Sequence, residues 1–138
     1  MAKENDNDSG KNKGKEILLI EDDKLLMNVL TQRFTQQGYK IDGVASADEA
    51  REFLQKNPVD IILLDIILPG TDGFTFLKEI KLDKKLKKIP IIIISNLGQK
   101  EEVEKGLKLG AIDYIIKAHT LPEDIIKKVE KVTKKLNK

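Results

Sequence analysis

Carboxylates, a hydroxyl and an ammonium group follow the ends of four apolar runs in this sequence. Glu21 and Asp22 follow ILLI, Asp65 follows IILL, Ser95 follows IIII and Lys117 follows YII. A carboxylate beside buried apolar residues is costly unless it is paired or bound to a cation. Oxygen ligands without any thiolate favour Mg²⁺. Together with a lysine and a hydroxyl, such carboxylates could accept a phosphoryl group while the metal and the lysine balance the charge on its oxygens.

The composition favours a soluble globular protein and excludes several kinds of site. The chain has 138 residues, of which 40% are hydrophobic and 35% are charged, and its formal net charge is +2. This charge is too small to imply a nucleic-acid partner by itself. The absence of cysteine excludes disulfides, thiolate metal sites and a cysteine nucleophile, and a single histidine excludes a histidine metal cluster. Since no apolar run is long enough for a membrane span or a signal sequence, we expect a cytoplasmic protein.

The first residues differ in composition from the rest of the chain. Residues 1–15 contain almost no apolar side chains, so they cannot bury enough surface to offset the entropy lost on ordering. We therefore expect a disordered polar tail over residues 1–15 and one folded domain over residues 16–138. No internal repeat is visible.

Five apolar segments alternate with five segments of helical periodicity. Strands are predicted over residues 16–20, 39–45, 60–64, 91–94 and 112–116, and the helical patterns begin near Leu25, after Ser46, after Asp72, near Val103 and after Thr120. Ser46–Glu49 and Thr120–Glu123 have the form of capping boxes, and Asp72 is predicted to cap its helix.

Continuous β-branched runs such as IIII predict strands that are buried on both faces, and hence a parallel sheet covered by helices on each side. An eight-stranded barrel would need far more chain. In an open parallel sheet the carboxyl ends of the strands form one edge, where ligands bind. The polar residues that follow the apolar runs are therefore expected to meet at that edge.

The sequence resembles the receiver domain of two-component response regulators. The resemblance rests on ILLIEDD, LLDIILPGTDGF, IIIISN and DYIIK, and it covers roughly residues 16–137. It implies an α/β, flavodoxin-like (βα)5 three-layer sandwich with strand order 2-1-3-4-5. It also implies a signalling switch that takes a phosphoryl group from the phosphohistidine of a sensor histidine kinase or a histidine phosphotransfer protein, with Mg²⁺ as cofactor.

The resemblance gives roles to the acidic residues and to one backbone carbonyl. Asp65 matches the phosphoacceptor, and Glu21 and Asp22 match the acidic pair that holds Mg²⁺, Asp22 more directly. The carbonyl of Ile67 matches the remaining protein ligand. Because the side chain of Ile67 offers no hydrogen bond to an attacking water, we expect slow self-dephosphorylation. The resemblance implies a phosphoacceptor rather than an enzyme that acts on other substrates.

The resemblance also gives roles to three residues on the last two strands. Ser95 matches the hydroxyl that turns toward the phosphoryl group, and Lys117 matches the lysine that contacts it. Tyr114 matches the aromatic residue that moves inward with the hydroxyl. The sequence departs from the family pattern at Ala118, where the family usually has a proline, so the shape of the following loop cannot be carried over.

Each of these residues also has a simpler interpretation. Asp22 or Asp23 could cap the first helix, Tyr114 could be a packing residue, and Lys117 a surface lysine. His119 is expected to be exposed, and the lysines of the last helix to form a solvated face, with a nucleic-acid patch less favoured because that helix has no aromatic residue. The convergence of all the polar residues at one edge favours the functional interpretation.

Two other classes of function compete with a phosphorylatable receiver. A pseudo-receiver would bind proteins without accepting phosphate, but the complete set of acids, hydroxyl and lysine argues against it. A phosphatase of the haloacid dehalogenase type would carry an aspartate two residues after its nucleophile, where this chain has Ile67.

The chain ends shortly after its last helical pattern. We therefore expect a stand-alone receiver without a DNA-binding domain, or a receiver cut from a larger regulator. Its output would be an effector protein that reads the surface around the fourth helix, fifth strand and fifth helix. We expect a monomer or a weak dimer on phosphorylation.

Overall fold

In the computed structural model, which describes residues 15–136, five strands alternate with five α-helices. The strands are β1 (Glu16–Ile20), β2 (Lys40–Val44), β3 (Ile61–Leu64), β4 (Ile91–Ser95) and β5 (Asp113–Ile116). The helices are α1 (Lys24–Gln36), α2 (Ala47–Lys56), α3 (Gly73–Leu82), α4 (Lys100–Lys108) and α5 (Pro122–Leu136), and a 3-10 turn over Lys117–His119 precedes α5.

The strands form one sheet with spatial order β2-β1-β3-β4-β5, and every neighbouring pair is parallel. This order and the five helices confirm the predicted flavodoxin-like fold. The tail expected over residues 1–15 lies, apart from Lys15, outside the described residues. Within residues 15–136, no helix has the length and apolar character needed to cross a bilayer.

The sheet separates two hydrophobic cores because successive side chains of a strand point to opposite faces. On one face, Leu63 and Ile92 pack with α1 and α5. On the other, Leu64 and Ile93 pack with α2 and α3, and the α4 residue Gly106 also approaches Ile93 on that side. Every residue of β3 and β4 is buried, as the continuous apolar runs predicted. Full burial of each such side chain contributes about 1.5–3 kcal/mol.

Two aspartates begin helices by accepting backbone hydrogen bonds. Asp23 accepts from the N–H of Leu25 at 3.0 Å, and Asp72 accepts from the N–H of Thr75 at 3.1 Å. The hydrogen bond from the Thr75 N–H holds the pKa of Asp72 below its usual value. Asp23 thus caps α1, and the predicted cap of α3 is confirmed.

The predicted capping box of α2 forms with one change. The hydroxyl of Ser46 accepts from the N–H of Glu49 at 3.2 Å, as predicted. The Glu49 carboxylate accepts in return from the N–H of Ala45, at 2.9 Å, one residue earlier than a standard box requires.

The capping box predicted at Thr120 and Glu123 is wrong. The hydroxyl of Thr120 instead donates to the carbonyl of Ile116 at 2.9 Å, which closes the 3-10 turn after β5. Helix α5 begins at Pro122. The carboxylate of Asp124 accepts a long hydrogen bond of 3.4 Å from the N–H of Leu121. Pro122 does occupy the first turn, as the sequence predicted.

Gly73 allows α3 to pack directly on the backbone that follows β3. A Cβ atom at this position would lie 2.5 Å from the carbonyl oxygen of Asp65 and 2.5 Å from the Cα of Ile66. The N–H of Gly73 also donates to the carbonyl of Ile66 at 2.8 Å. The first residue of α3 therefore fixes the backbone of Asp65.

We expect Gly73→Ala to lower the free energy of unfolding by about 1–3 kcal/mol, because the added methyl group meets backbone that cannot move aside. Gly43→Ala is the matched control. The three atoms nearest to its Cβ would all belong to the flexible side chain of Met27, with Sδ at 2.6 Å, so its cost should be smaller. Urea denaturation followed by circular dichroism measures both, and equal losses in the two variants would contradict the close approach of α3.

Candidate functional site

The sheet brings the predicted polar residues to one edge. Ile20 of β1 is paired with Leu64 of β3, and Ser95 of β4 with Ile116 of β5. The residues that follow these pairs therefore emerge side by side at the carboxyl edge. They include Glu21, Asp65 and Lys117, so the predicted convergence is present.

Lys117 lies between two buried carboxylates. Its Nζ is 2.7 Å from Oε1 of Glu21 and 2.9 Å from Oδ2 of Asp65. Burial alone would lower the pKa of Lys117, but the two carboxylates outweigh burial and raise that pKa. The lysine therefore remains a cation. The Lys117–Ala118 peptide bond is trans, and Lys117 is the first residue of the 3-10 turn that follows β5.

Glu21 is fully buried, and its carboxylate is incompletely satisfied. Oε2 accepts from the N–H of Asp23 at 2.9 Å. Oε1 lies 2.7 Å from Nζ of Lys117, in an ion pair whose angles depart from those of a well-aligned hydrogen bond. Burial raises the pKa of Glu21, and the lysine and the Asp23 N–H offset only part of that effect.

A third carboxylate joins these two. Oxygens of Glu21, Asp22 and Asp65 all lie within 4.8 Å of one another, with Asp22 exposed to solvent. Three carboxylates face one ammonium, and like charges about 4 Å apart repel by about 1 kcal/mol in water and several times more in protein. The edge therefore carries an excess of negative charge.

The donor set fits a magnesium ion. Two oxygens on opposite sides of one Mg²⁺ are about 4.2 Å apart, since each lies about 2.1 Å from the ion. The carboxylate oxygens of Glu21, Asp22 and Asp65 lie within 4.8 Å of one another, so small side-chain movements would bring them to this spacing around one ion. Ile67 lies at the same edge, because its N–H donates to Oδ1 of Asp65 at 3.1 Å, while its side chain is 55% exposed.

Leu97 joins the predicted hydroxyl to the predicted aromatic residue. The hydroxyl of buried Ser95 accepts from the N–H of Leu97 at 3.2 Å. The hydroxyl of Tyr114 donates to the carbonyl of the same Leu97. Burial raises the pKa of Tyr114, whose ring packs against Gly106 of α4. Sequence reasoning did not find Leu97, because both of its contacts use backbone atoms that any residue type would provide.

The sequence patterns also gave no indication that Arg51 of α2 contributes to the site. Its guanidinium forms a bidentate ion pair with Glu79 of α3, with both contacts at 2.7 Å. It also donates to the hydroxyl of Thr71 at 3.3 Å, in the loop between β3 and α3. The pair joins positions 28 residues apart in the chain. No helical or strand spacing could have indicated it.

The remaining predicted residues lie away from the carboxylates. Asp72 caps a helix, and His119 is exposed, as expected. All five lysines of α5 are exposed, as predicted: Lys127, Lys128, Lys131, Lys134 and Lys135.

Comparison with known proteins identifies the family. The model of the response regulator receiver domain matches residues 17–130. The chain therefore belongs to the receiver domains of two-component response regulators, which accept phosphoryl groups. It is 37% identical over 116 residues to the transcriptional regulatory protein CssR of Bacillus subtilis, a match that covers 84% of this chain and 50% of that protein. The chain spans about half the length of the curated relatives it matches.

Solved structures agree with this assignment. A two-component response regulator from Clostridium difficile superposes with a TM-score of 0.83 at 28% identity, covering 90% of this chain and 99% of that one. The Mn²⁺-bound form of response regulator Rcp1 superposes with a TM-score of 0.72 at 27% identity, covering 88% of this chain and 91% of that one.

We expect Asp22→Asn to raise the free energy of unfolding in EDTA by about 1 kcal/mol or more, because it removes one of three clustered negative charges. Asp42→Asn, at an exposed position of β2, should change stability by less than about 0.5 kcal/mol. Mg²⁺ should stabilise the native chain more than the Asp22 variant. Chemical denaturation with EDTA and with Mg²⁺ measures these differences. An Asp22→Asn protein that is less stable than the native chain in EDTA would contradict the charge excess.

Proposed function

We propose that this chain is a phosphorylation-dependent switch of a two-component phosphorelay, in which Asp65 accepts a phosphoryl group from a phosphohistidine. The observation that carries the proposal is the contact of Lys117 with Asp65 inside a cluster of three carboxylates. Membership of the receiver family supports the reaction class. The complete set of acids, hydroxyl and lysine argues against a pseudo-receiver.

Glu21, Asp22, Asp65 and the backbone carbonyl of Ile67 would hold a Mg²⁺ ion. The ion would neutralise charge on the carboxylates and on the phosphoryl oxygens. The Mn²⁺-bound relative supports a divalent cation. Glu21 is buried and bonded to the N–H of Asp23, so it is positioned to orient the cluster, whereas exposed Asp22 is open to a metal ligand role.

In the transfer step, a carboxylate oxygen of Asp65 attacks the phosphorus of the phosphohistidine. The P–N bond breaks, and its electron pair stays on the imidazole nitrogen. The N–H of Ile67 donates to Oδ1 of Asp65 and so orients the carboxylate. Lys117 already lies 2.9 Å from Oδ2 and would bind the oxygens of the new phosphoryl group.

Leu97 would couple phosphorylation at the site to the position of Tyr114. Ser95 turning toward the phosphoryl group would change its bond with the N–H of Leu97, whose carbonyl holds Tyr114. Tyr114 packs against α4 at Gly106, so this change would reach the surface around α4, β5 and α5. An effector protein would read that surface in the cytoplasm, with the receiver a monomer or a weak dimer.

We expect one added phosphoryl group when the protein is incubated with Mg²⁺ and acetyl phosphate, measured by intact-protein mass spectrometry. Asp65→Asn should abolish the addition, because it removes the nucleophile. Asp72→Asn, which changes an aspartate in the same segment but outside the cluster, should retain it. EDTA should prevent it. Phosphorylation that persists in the Asp65 variant would overturn the assignment of the acceptor.

We also expect a long-lived phosphoryl group, because exposed Ile67 offers no hydrogen bond to an attacking water. Ile67→Asn should shorten the lifetime, since an amide can orient that water, whereas Ile67→Val should not. Decay of the phosphorylated mass after removal of acetyl phosphate measures the lifetime. Equal lifetimes in the Asn and Val variants would exclude a role for this side chain.

A further inference from the structure

A groove with an apolar floor runs beside α5, away from the carboxylate cluster. It is lined by the starts of β4 and β5, by the segment after Lys117 and by one side of α5, and its volume is about 850 Å³. Pro90, Ile112, Val132 and Leu136 form the floor. Ile112 is 48% exposed and Leu136 43% exposed, so the groove leaves substantial apolar surface in contact with water.

The rim of the groove is strongly basic. In the part of the chain that the structure describes, five lysines line it: Lys88, Lys127, Lys128, Lys131 and Lys135. The other titratable side chains of the described lining are His119, Asp113 and Asp124. Asp113 is paired with Lys128 at 3.2 Å, and Asp124 accepts from the N–H of Leu121. Two acids facing five lysines leave a local excess of positive charge that the whole-chain value of +2 does not reveal.

The chemistry of the groove favours an acidic peptide over a nucleic acid. Nucleic-acid surfaces combine cations with aromatic side chains on which bases stack. Among residues 15–136, the groove lining contains no tryptophan, tyrosine, phenylalanine or arginine. Phosphates would also leave the apolar floor without a partner. A peptide that alternates carboxylates with aliphatic side chains would match both the rim and the floor.

We propose that this groove binds an acidic segment with aliphatic side chains from a partner protein. The lysines attract the carboxylates and make the binding salt-dependent. Ile112 and Leu136 take up the aliphatic side chains. Binding does not require a phosphoryl group on Asp65, so this inference goes beyond the proposed switch, and either can fail while the other holds.

The groove also has a short covalent path to the cluster. Lys117 and the groove residue Thr120 belong to the same turn, since the carbonyl of Lys117 accepts from the N–H of Thr120 at 3.3 Å. The hydroxyl of Thr120 is bonded to the carbonyl of Ile116. A movement of Lys117 would therefore reach one end of the groove.

Fluorescence anisotropy with the unphosphorylated full chain tests the proposal. The probe is a labelled peptide of glutamates with leucines at helical spacing. One comparison peptide has serine in place of leucine, a second has lysine in place of glutamate, and a short labelled DNA duplex serves as the nucleic acid. We expect the glutamate–leucine peptide to bind most tightly and to weaken as salt rises. Tighter binding of the duplex would overturn the choice of occupant.

Charge reversal locates the binding. Lys131→Glu with Lys135→Glu should weaken binding of the glutamate–leucine peptide by about tenfold or more. Lys108→Glu with Lys134→Glu makes the same change in net charge at exposed lysines outside the groove and is the matched control. Similar weakening in both double variants would show that only net charge matters and would overturn the site.

Ile112→Ser tests the apolar floor separately. It should weaken the glutamate–leucine peptide but leave the weaker binding of the glutamate–serine peptide unchanged. Equal effects on both peptides would contradict an apolar anchor. Circular dichroism establishes that each variant is folded. A second copy of this chain is the remaining possible occupant, and sedimentation of the native chain with and without peptide tests it. A dimer that dissociates when the peptide is added would show that a second copy fills the groove and would overturn the proposal.

Discussion

The carboxyl edge of the sheet depends on an imbalance of charge, in which three carboxylates face one ammonium group. The ammonium of Lys117 compensates only part of the negative charge, and burial deprives Glu21 of the water that would otherwise solvate it. Such an arrangement costs stability, which is common where a site is kept for function. A divalent cation would relieve the repulsion, and the oxygens of an incoming phosphoryl group would replace carboxylate contacts on the lysine. The proposed chemistry is a consequence of this imbalance.

The rest of the fold holds the carboxylates together against their repulsion. The buried strands β1 and β3 are paired up to Ile20 and Leu64, so Glu21 and Asp65 cannot separate without breaking the sheet. The direct packing of Gly73 on the Asp65 backbone fixes the following turn. Arg51 ties that turn to α2 and α3 through Thr71 and Glu79. These contacts keep the site organised before any ligand arrives, which is what preorganised electrostatic catalysis requires.

Much of this arrangement could be predicted from the sequence, for a definite physical reason. Parallel strands buried on both faces must be continuously apolar, so the polar residue that ends each run marks the carboxyl edge. Glu21, Asp65 and Lys117 were found in this way. The capping box at Thr120 was predicted wrongly because its hydroxyl has a second acceptor, the carbonyl of Ile116, that becomes available only in the folded turn. Leu97 was missed because it acts through its backbone. The basic groove was missed because Lys88 and Leu136, which are far apart in the sequence, line the same groove only in the tertiary structure.

A crystal structure of the native chain with Mg²⁺ and beryllofluoride would test the central claim most directly, because beryllofluoride mimics a phosphoryl group on a carboxylate. We expect beryllium bonded to an oxygen of Asp65 and a cation held among Glu21, Asp22, Asp65 and the carbonyl of Ile67. Lys117 should have moved from Oδ2 of Asp65 onto a fluoride. A structure in which beryllofluoride is absent from Asp65, with Lys117 still bound to both carboxylates and no cation among them, would contradict the account.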